Sequence, residues 1–246
     1  MIYMEINQNI VEYYDELYPV TEEQKKFYAA AISSYQQPVK LLRIECGTGT
    51  FEHALAMNGI DVTGLESSPE LLASANRKRR TQLMSIRFFQ MTPLEMGRFL
   101  GKGFYNIISI LDGRILLTHD ETLMRKLFFD CKQLLSEKGQ LILSLPNMEK
   151  FSSVPMANLP DRKSIRTSLY TQIWTADNGK KSVQLNLETG TGKVVPVMKD
   201  IPIYPLTAKE IETFAKEAGF CQCNFYSGFD QKPFSAESNY LIAQLF

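Results

Sequence analysis

The 246-residue chain reads as an α/β protein: a seven-stranded, mostly parallel sheet with helices on both faces and a small antiparallel β cap. Two patterns predict this. Between residues 39 and 145, short apolar runs alternate with longer amphipathic stretches, the rhythm of strand–helix–strand crossovers that builds a parallel sheet. After Pro146-Asn147 the character changes to Thr-, Val-, Leu- and Tyr-rich runs. These are broken by Asn178-Gly179 and Gly190-Thr191-Gly192, the chemistry of hairpin turns.

Taken in order, residues 1–37 are expected to be helical. Val11, Tyr14 and Leu17-Tyr18 recur at spacings of three and four, and Thr21 with Gln24 opens a second helix that runs to residue 32. The strands of the core are expected at 39–44, 61–65, 86–90, 105–111 and 140–145. The 105–111 run is almost wholly apolar, as a strand buried on both faces should be. Helices are expected over 51–58, from Ser68-Pro69-Glu70 onward, and over 121–135, with Lys138-Gly139 as the turn into the fifth strand. Residues 148–205 form the cap. A helix from Thr207, boxed by Glu210 and stopped by Gly219, and strands at 221–225 and 240–245 complete the sheet. The chain thus divides into 1–147 (N-terminal helices and core), 148–205 (cap) and 206–246 (last helix and two strands).

Lys plus Arg balance Asp plus Glu at 27 each, so no long-range field draws in a polyanion and nucleic acid is not the expected partner. The run Arg77-Lys78-Arg79-Arg80 is read as a solvated helix end. No apolar stretch approaches the roughly 20 residues of a membrane span, and residues 1–9 lack the features of a signal peptide. With four scattered cysteines, a reduced cytoplasmic setting is the expectation. Cys221 and Cys223 would share a strand face, but without further Cys or His they do not make a metal site.

The stretch Leu41-Leu42-Arg43-Ile44-Glu45-Cys46-Gly47-Thr48-Gly49-Thr50-Phe51 carries the most information. A strand runs into glycines and then a helix, which lets a ligand meet backbone amides at a helix start. About 20 residues on, Glu66 ends the second strand, where an acid takes the hydroxyls of a ribose. A nicotinamide-dependent oxidoreductase shares those features. Its fingerprint needs a third glycine at the sixth position, which Glu52 occupies here.

Cys46-Gly47-Thr48-Gly49 after a strand resembles the first motif of class I S-adenosylmethionine-dependent methyltransferases, and the segment Val62 to Leu72 their second. Phe89-Gln90-Met91-Thr92-Pro93, Tyr105 to Asp112 and Leu134 to Leu141 are similar to the third, fourth and fifth strand regions. Tyr13-Tyr14-Asp15-Glu16-Leu17-Tyr18-Pro19 and Tyr226-Ser227-Gly228-Phe229-Asp230 resemble segments of small-molecule methyltransferases of the glycine N-methyltransferase-like type. The resemblance implies a Rossmann-like core and methyl transfer from S-adenosylmethionine to a small molecule, with S-adenosylhomocysteine as product. By that resemblance, cofactor contacts fall to Tyr14, Glu45, Cys46, Gly47, Thr48, Gly49, Glu66, Ser67, Met91, Thr92 and Leu111. The chemistry is then mostly positioning, since the reactive methyl belongs to the cofactor.

Three positions depart from the pattern: Glu45 where the family has its first glycine, Arg43 where it has an acid, and Thr92 where an Asp is common. Arg43 reverses the local charge, with Glu45 or the methionine carboxylate as its expected partner. A non-catalytic binding or structural protein on the same fold is the alternative these departures suggest. Asp112, Arg114, Tyr170 and Phe229 are candidate substrate contacts, with Asp230 beside the last. His119 is the candidate base if one exists, and His53 is read as packing. Tyr13 and Tyr18 are read as docking the first helix, and Trp174 either walls the substrate or fills the hairpin core.

Overall fold

The computed structural model describes residues 8–78, 85–151 and 154–246; Arg79 and Arg80 of the basic run lie outside them. Helices α1 (Gln8–Leu17) and α2 (Glu22–Ser33) come first, and Thr21 caps α2 by accepting from the Gln24 amide at 3.1 Å. The core continues through β1 (Lys40–Ile44), α3 (Thr50–Met57), β2 (Asp61–Glu66), α4 (Pro69–Lys78), β3 (Ile86–Gln90), α5 (Met96–Phe99) and β4 (Tyr105–Ile110). A 3-10 turn (Arg114–Leu117), α6 (Glu121–Leu134) and β5 (Leu135–Pro146) follow.

After the short α7 (Met148–Phe151) come the cap strands β6 (Met156–Asn158), β7 (Arg162–Lys163), β8 (Thr167–Thr175), β9 (Lys181–Thr189) and β10 (Val194–Ile203). Then α8 (Ala208–Ala218), β11 (Cys223–Tyr226) and β12 (Tyr240–Leu245) close the chain. The core sheet has seven strands in the order β11-β12-β5-β4-β1-β2-β3. β1 to β5 pair in parallel, and β12 runs antiparallel to both of its neighbours. The reversal follows from connectivity: α8 carries the chain across the sheet, whereas β12 returns beside β11 without a crossover and must run the other way. A dinucleotide fold would need a second parallel half beyond β5, so this topology does not support the oxidoreductase reading.

Leu41, Leu42 and Ile44 of β1 and Ile107, Ile108 and Ile110 of β4 are all buried, because helices cover both faces of the sheet. The capping box at Thr207–Glu210 is formed, and Gly219 ends α8 in the left-handed conformation. Two boundaries differ from expectation. The fifth strand begins at Leu135 directly off α6. Gly139 sits where a Cβ would come within 2.9 Å of Ser136 O and the Leu135 side chain, so its glycine signals a close approach inside an irregular strand, and not a turn. β11 begins at Cys223, leaving Cys221 exposed ahead of it; the two thiols do not share a strand face.

The second sheet is antiparallel, ordered β10-β9-β8-β6 with β7 on β8. Alternation decides its faces: Leu169, Ile173, Val183, Leu185 and Leu187 point inward and join the main hydrophobic core. Trp174, 41% exposed, lies on the outer face, so it neither walls a substrate nor fills the hairpin core. Among the described residues no helix is long and apolar enough to cross a membrane.

Candidate active site

The carboxyl ends of β1, β2 and β4 converge on one region, as ligand sites in such sheets require. At the end of β1 the chain turns through three left-handed residues, Glu45 (φ 54°), Gly47 (φ 63°) and Gly49 (φ 70°). Gly49 is the N-cap of α3. Glycine is demanded at 47, where a Cβ would lie 2.5 Å from the Tyr14 ring. Glu66 fastens the loop: one carboxylate oxygen accepts from the Gly47 amide at 2.7 Å and the other from Ser68 at 2.9 Å. Glu66 is 1% exposed, so these bonds form where water does not compete.

Glu45 keeps the left-handed backbone of a glycine although its side chain makes that conformation costly. Its carboxyl is buried and accepts from the Ser67 hydroxyl at 2.9 Å. Burial, and then the charge of Glu66, push its pKa up to about 8. Arg43 does not pair with Glu45. Its Nε lies 3.2 Å from Glu52 and its Nη2 3.5 Å from Asp112, because the strand alternation and the first turn of α3 bring those carboxyls to the same side. Glu52 is itself buried, and burial raises it to about 7 against the opposing pull of Arg43.

Three adjoining cavities surround this framework. The first is bounded by Tyr14, Arg43, Cys46, Thr48, Glu52 and Asp112. The second, about 270 Å3, is lined by Glu45, Ser67, Thr92, Arg114 and His119 among others. The third lies beneath the cap, where Tyr18, Asp112, Arg114 and Arg162 meet Leu185 and Met198. Arg114 lines the second and third and Asp112 the first and third, so these two residues stand at the partitions. Asp112 (φ 59°) and Gly113 (φ 71°) form a tight left-handed pair after β4. The Gly113 amide is held by Ser144 O at 2.8 Å, and a Cβ at 113 would touch Pro146 at 3.0 Å.

Tyr14 is buried on the glycine loop, stacked on Tyr18 with ring centroids 4.6 Å apart. Its hydroxyl accepts weakly from Arg114 Nη2 at 3.4 Å. Burial raises its pKa, against Arg114. Of the other expected cofactor residues, Cys46, Thr48, Ser67 and Thr92 line cavities. Met91 and Leu111 pack into the core and line none of the three cavities. The Thr92 hydroxyl donates to Glu95 at 2.7 Å, so it is engaged within its own turn. His119 is exposed at the rim of the second cavity and has no place in the chamber under the cap. His53 bonds Ala75 O at 3.0 Å and packs on Phe88.

Two expected substrate contacts lie elsewhere. Tyr170 falls on the outer face of β8, where its hydroxyl donates to Glu188 at 2.8 Å, because β alternation turns it away from Thr171 and Ile173. Phe229 packs on Phe27 and Tyr28 under α2, and Asp230 pairs with Lys232 at the surface. Sequence reasoning missed Arg162 and Tyr240, which line the chamber under the cap, and Asp15. Arg162 comes from a strand of two residues with no periodicity to find it. Asp15 accepts from Thr50 at 2.8 Å and Lys78 at 2.5 Å and also from Thr48, tying α1 to the glycine loop.

No protein-family model matches the chain. A protein of Geobacillus sp. (strain WCH70), provisionally named a methyltransferase, is 29% identical over 115 residues, 47% of this chain and 45% of that protein. The chain thus spans about half the length of the curated relative it matches. The whole chain superposes on the CcbJ methyltransferase from Streptomyces caelestis with a TM-score of 0.79 at 15% identity, covering 98% of that structure. This is the fold of the S-adenosylmethionine-dependent methyltransferases. An S-adenosylmethionine-dependent methyltransferase from Clostridium acetobutylicum gives 0.75 at 16% identity, with 96% of this chain and 97% of that one covered. The aminopentose methyltransferase CalS10 from Micromonospora echinaspora, solved with S-adenosylmethionine bound, gives 0.66 at 15% identity over 96% of each chain. Gly47, Gly49 and Glu66 line none of the three cavities, and both Glu66 oxygens are taken up by the Gly47 and Ser68 amides.

Proposed function

We propose that the chain transfers a methyl group from S-adenosylmethionine to a small-molecule acceptor held beneath the cap. The observation that carries this reading is the meeting of the three cavities at Asp112 and Arg114. The cavity along the glycine loop and the cavity along Ser67–Thr92 each adjoin the cap-roofed chamber, so two ligands can lie side by side. Tyr14, Cys46, Thr48, Ser67 and Thr92, which line the cavities, would hold the cofactor, which supplies an electrophilic methyl when bound, and Glu66 keeps the glycine loop in shape through its two backbone amides. The chain's own part is positioning: apolar residues of the cap exclude water, and Asp112 and Arg114 orient the acceptor. No side-chain base is needed for an acceptor whose lone pair is free, and His119 sits outside the chamber. The four cysteines, all unpaired, support placing the reaction in the cytoplasm.

Calorimetric titration with S-adenosylmethionine and S-adenosylhomocysteine tests the proposal. Micromolar binding of both is expected, followed by acceptor-dependent formation of S-adenosylhomocysteine. The rival reading is a non-catalytic scaffold. It is favoured by one observation: both Glu66 oxygens already accept backbone amides. Failure of both adenosyl compounds to bind would overturn the proposal and favour that rival.

A further inference from the structure

The chamber under the cap is lined mostly by apolar side chains, with two guanidiniums, Arg114 and Arg162, beside Asp112 at its floor. Arg162 Nη2 lies 3.2 Å from one oxygen of Asp112 and Arg43 Nη2 3.5 Å from the other, while Glu52 faces Arg43 Nε. Asp112 is thus shared between two arginines. Arg114 is left over. It is only 7% exposed, and its one polar contact is the weak bond to the Tyr14 hydroxyl. Its Nη1 has no hydrogen-bond partner among the described residues. Glu66 and Glu45 act on it electrostatically, but neither forms a salt bridge with it: Glu66 is held by two backbone amides and Glu45 by Ser67. A guanidinium buried without a carboxylate is costly, and chains that keep one have a partner for it.

Taking the chamber as the acceptor site, which rests on the methyltransferase reading above, we infer that the acceptor is an amphipathic anion: its carboxylate or phosphate group is received by Arg114, and its apolar body lies against Leu116, Ile173, Leu185 and Met198. The planar fork of Arg114 suits such a group. Arg162, stacked on the Tyr18 ring at 4.3 Å, stands on the same floor and adds a second positive charge that Asp112 alone does not cancel.

The test uses three probes with one pentyl tail: hexanoate, pentyl phosphate and hexanamide, titrated calorimetrically into the intact protein saturated with S-adenosylhomocysteine. At least one anion is expected to bind about tenfold more tightly than the neutral amide, and the tighter of the two names the headgroup. That preference should vanish in Arg114→Gln and partly return in Arg114→Lys. The wild-type comparison stands whatever the variants do to folding. Equal affinity for amide and anions, binding of neither anion, or displacement of the anion by S-adenosylhomocysteine would each overturn the inference. Should S-adenosylhomocysteine itself fail to bind, the methyltransferase reading falls alone, and the anion preference is then read on the protein without it.

Discussion

Replacing Glu45 by glutamine should make the protein less sensitive to alkaline pH, by an amount the structure sets. The side chain is 5% exposed and holds one hydrogen bond from Ser67, which a neutral amide oxygen of the same size can also accept. In the folded chain the carboxyl titrates at about 8, against 4.5 ordinarily. Its contribution to stability is therefore full below pH 4.5 and is lost as pH rises through 8, because folding then requires a buried anion or a proton taken up. At roughly 1.4 kcal/mol per pH unit, the loss between pH 5 and pH 8 is on the order of a few kcal/mol. Glu52, raised to about 7 by burial, loses stability in the same direction but is common to both proteins and cancels in their difference. The assay is urea denaturation of wild type and Glu45→Gln at pH 5, 6, 7 and 8. The gap between them should widen steadily in favour of the variant. Parallel curves would refute the reasoning and mean that Glu45 is ionised in the folded chain at all four pH values.

Gly47→Ala should cost about 2–4 kcal/mol, from the left-handed backbone and from the collision with Tyr14. In a Tyr14→Leu background the collision disappears, so a double-mutant cycle should give at least about 1 kcal/mol of coupling, and strict additivity would rule out the contact. Glu66→Ala removes the acceptor of two buried amides, each worth about 1–3 kcal/mol. Equilibrium unfolding should show that loss, with S-adenosylhomocysteine affinity at least about tenfold weaker. Leu185→Trp fills the chamber under the cap: S-adenosylhomocysteine should bind as before while acceptor turnover disappears, and retained turnover would place the acceptor elsewhere.

Most of the architecture was legible because it rests on local signals. The apolar runs of β1 and β4, the Thr207–Glu210 box and the two hairpin turns each carry their meaning in a few adjacent residues. The fifth strand was misjudged at its start because Gly139 serves close packing there, and a glycine looks the same in a sequence whichever need it meets. At the site, the glycine loop and Glu66 were legible for the same local reason. The partner of Arg43 was not, because Glu52 and Asp112 reach it through helix phase and tertiary proximity, 9 and 69 residues along the chain. The face that Tyr170 presents is not legible in the sequence, because it depends on strand register, which alternation settles once the pairing with Asn186 is known. Arg162 belongs to a stretch with no pattern at all, and only the folded cap brings it to Asp112.

That last ion pair has an evolutionary side. Asp112 is gripped from below by Arg43 of the sheet and from above by Arg162 of the cap. A recombination event that transplanted a different cap onto this sheet would strand Asp112 with half its countercharge, unless the incoming segment brought its own cation to the same spot. Lineages that change acceptor by exchanging caps should therefore be forced to inherit residues 112 and 162 together, or to lose both.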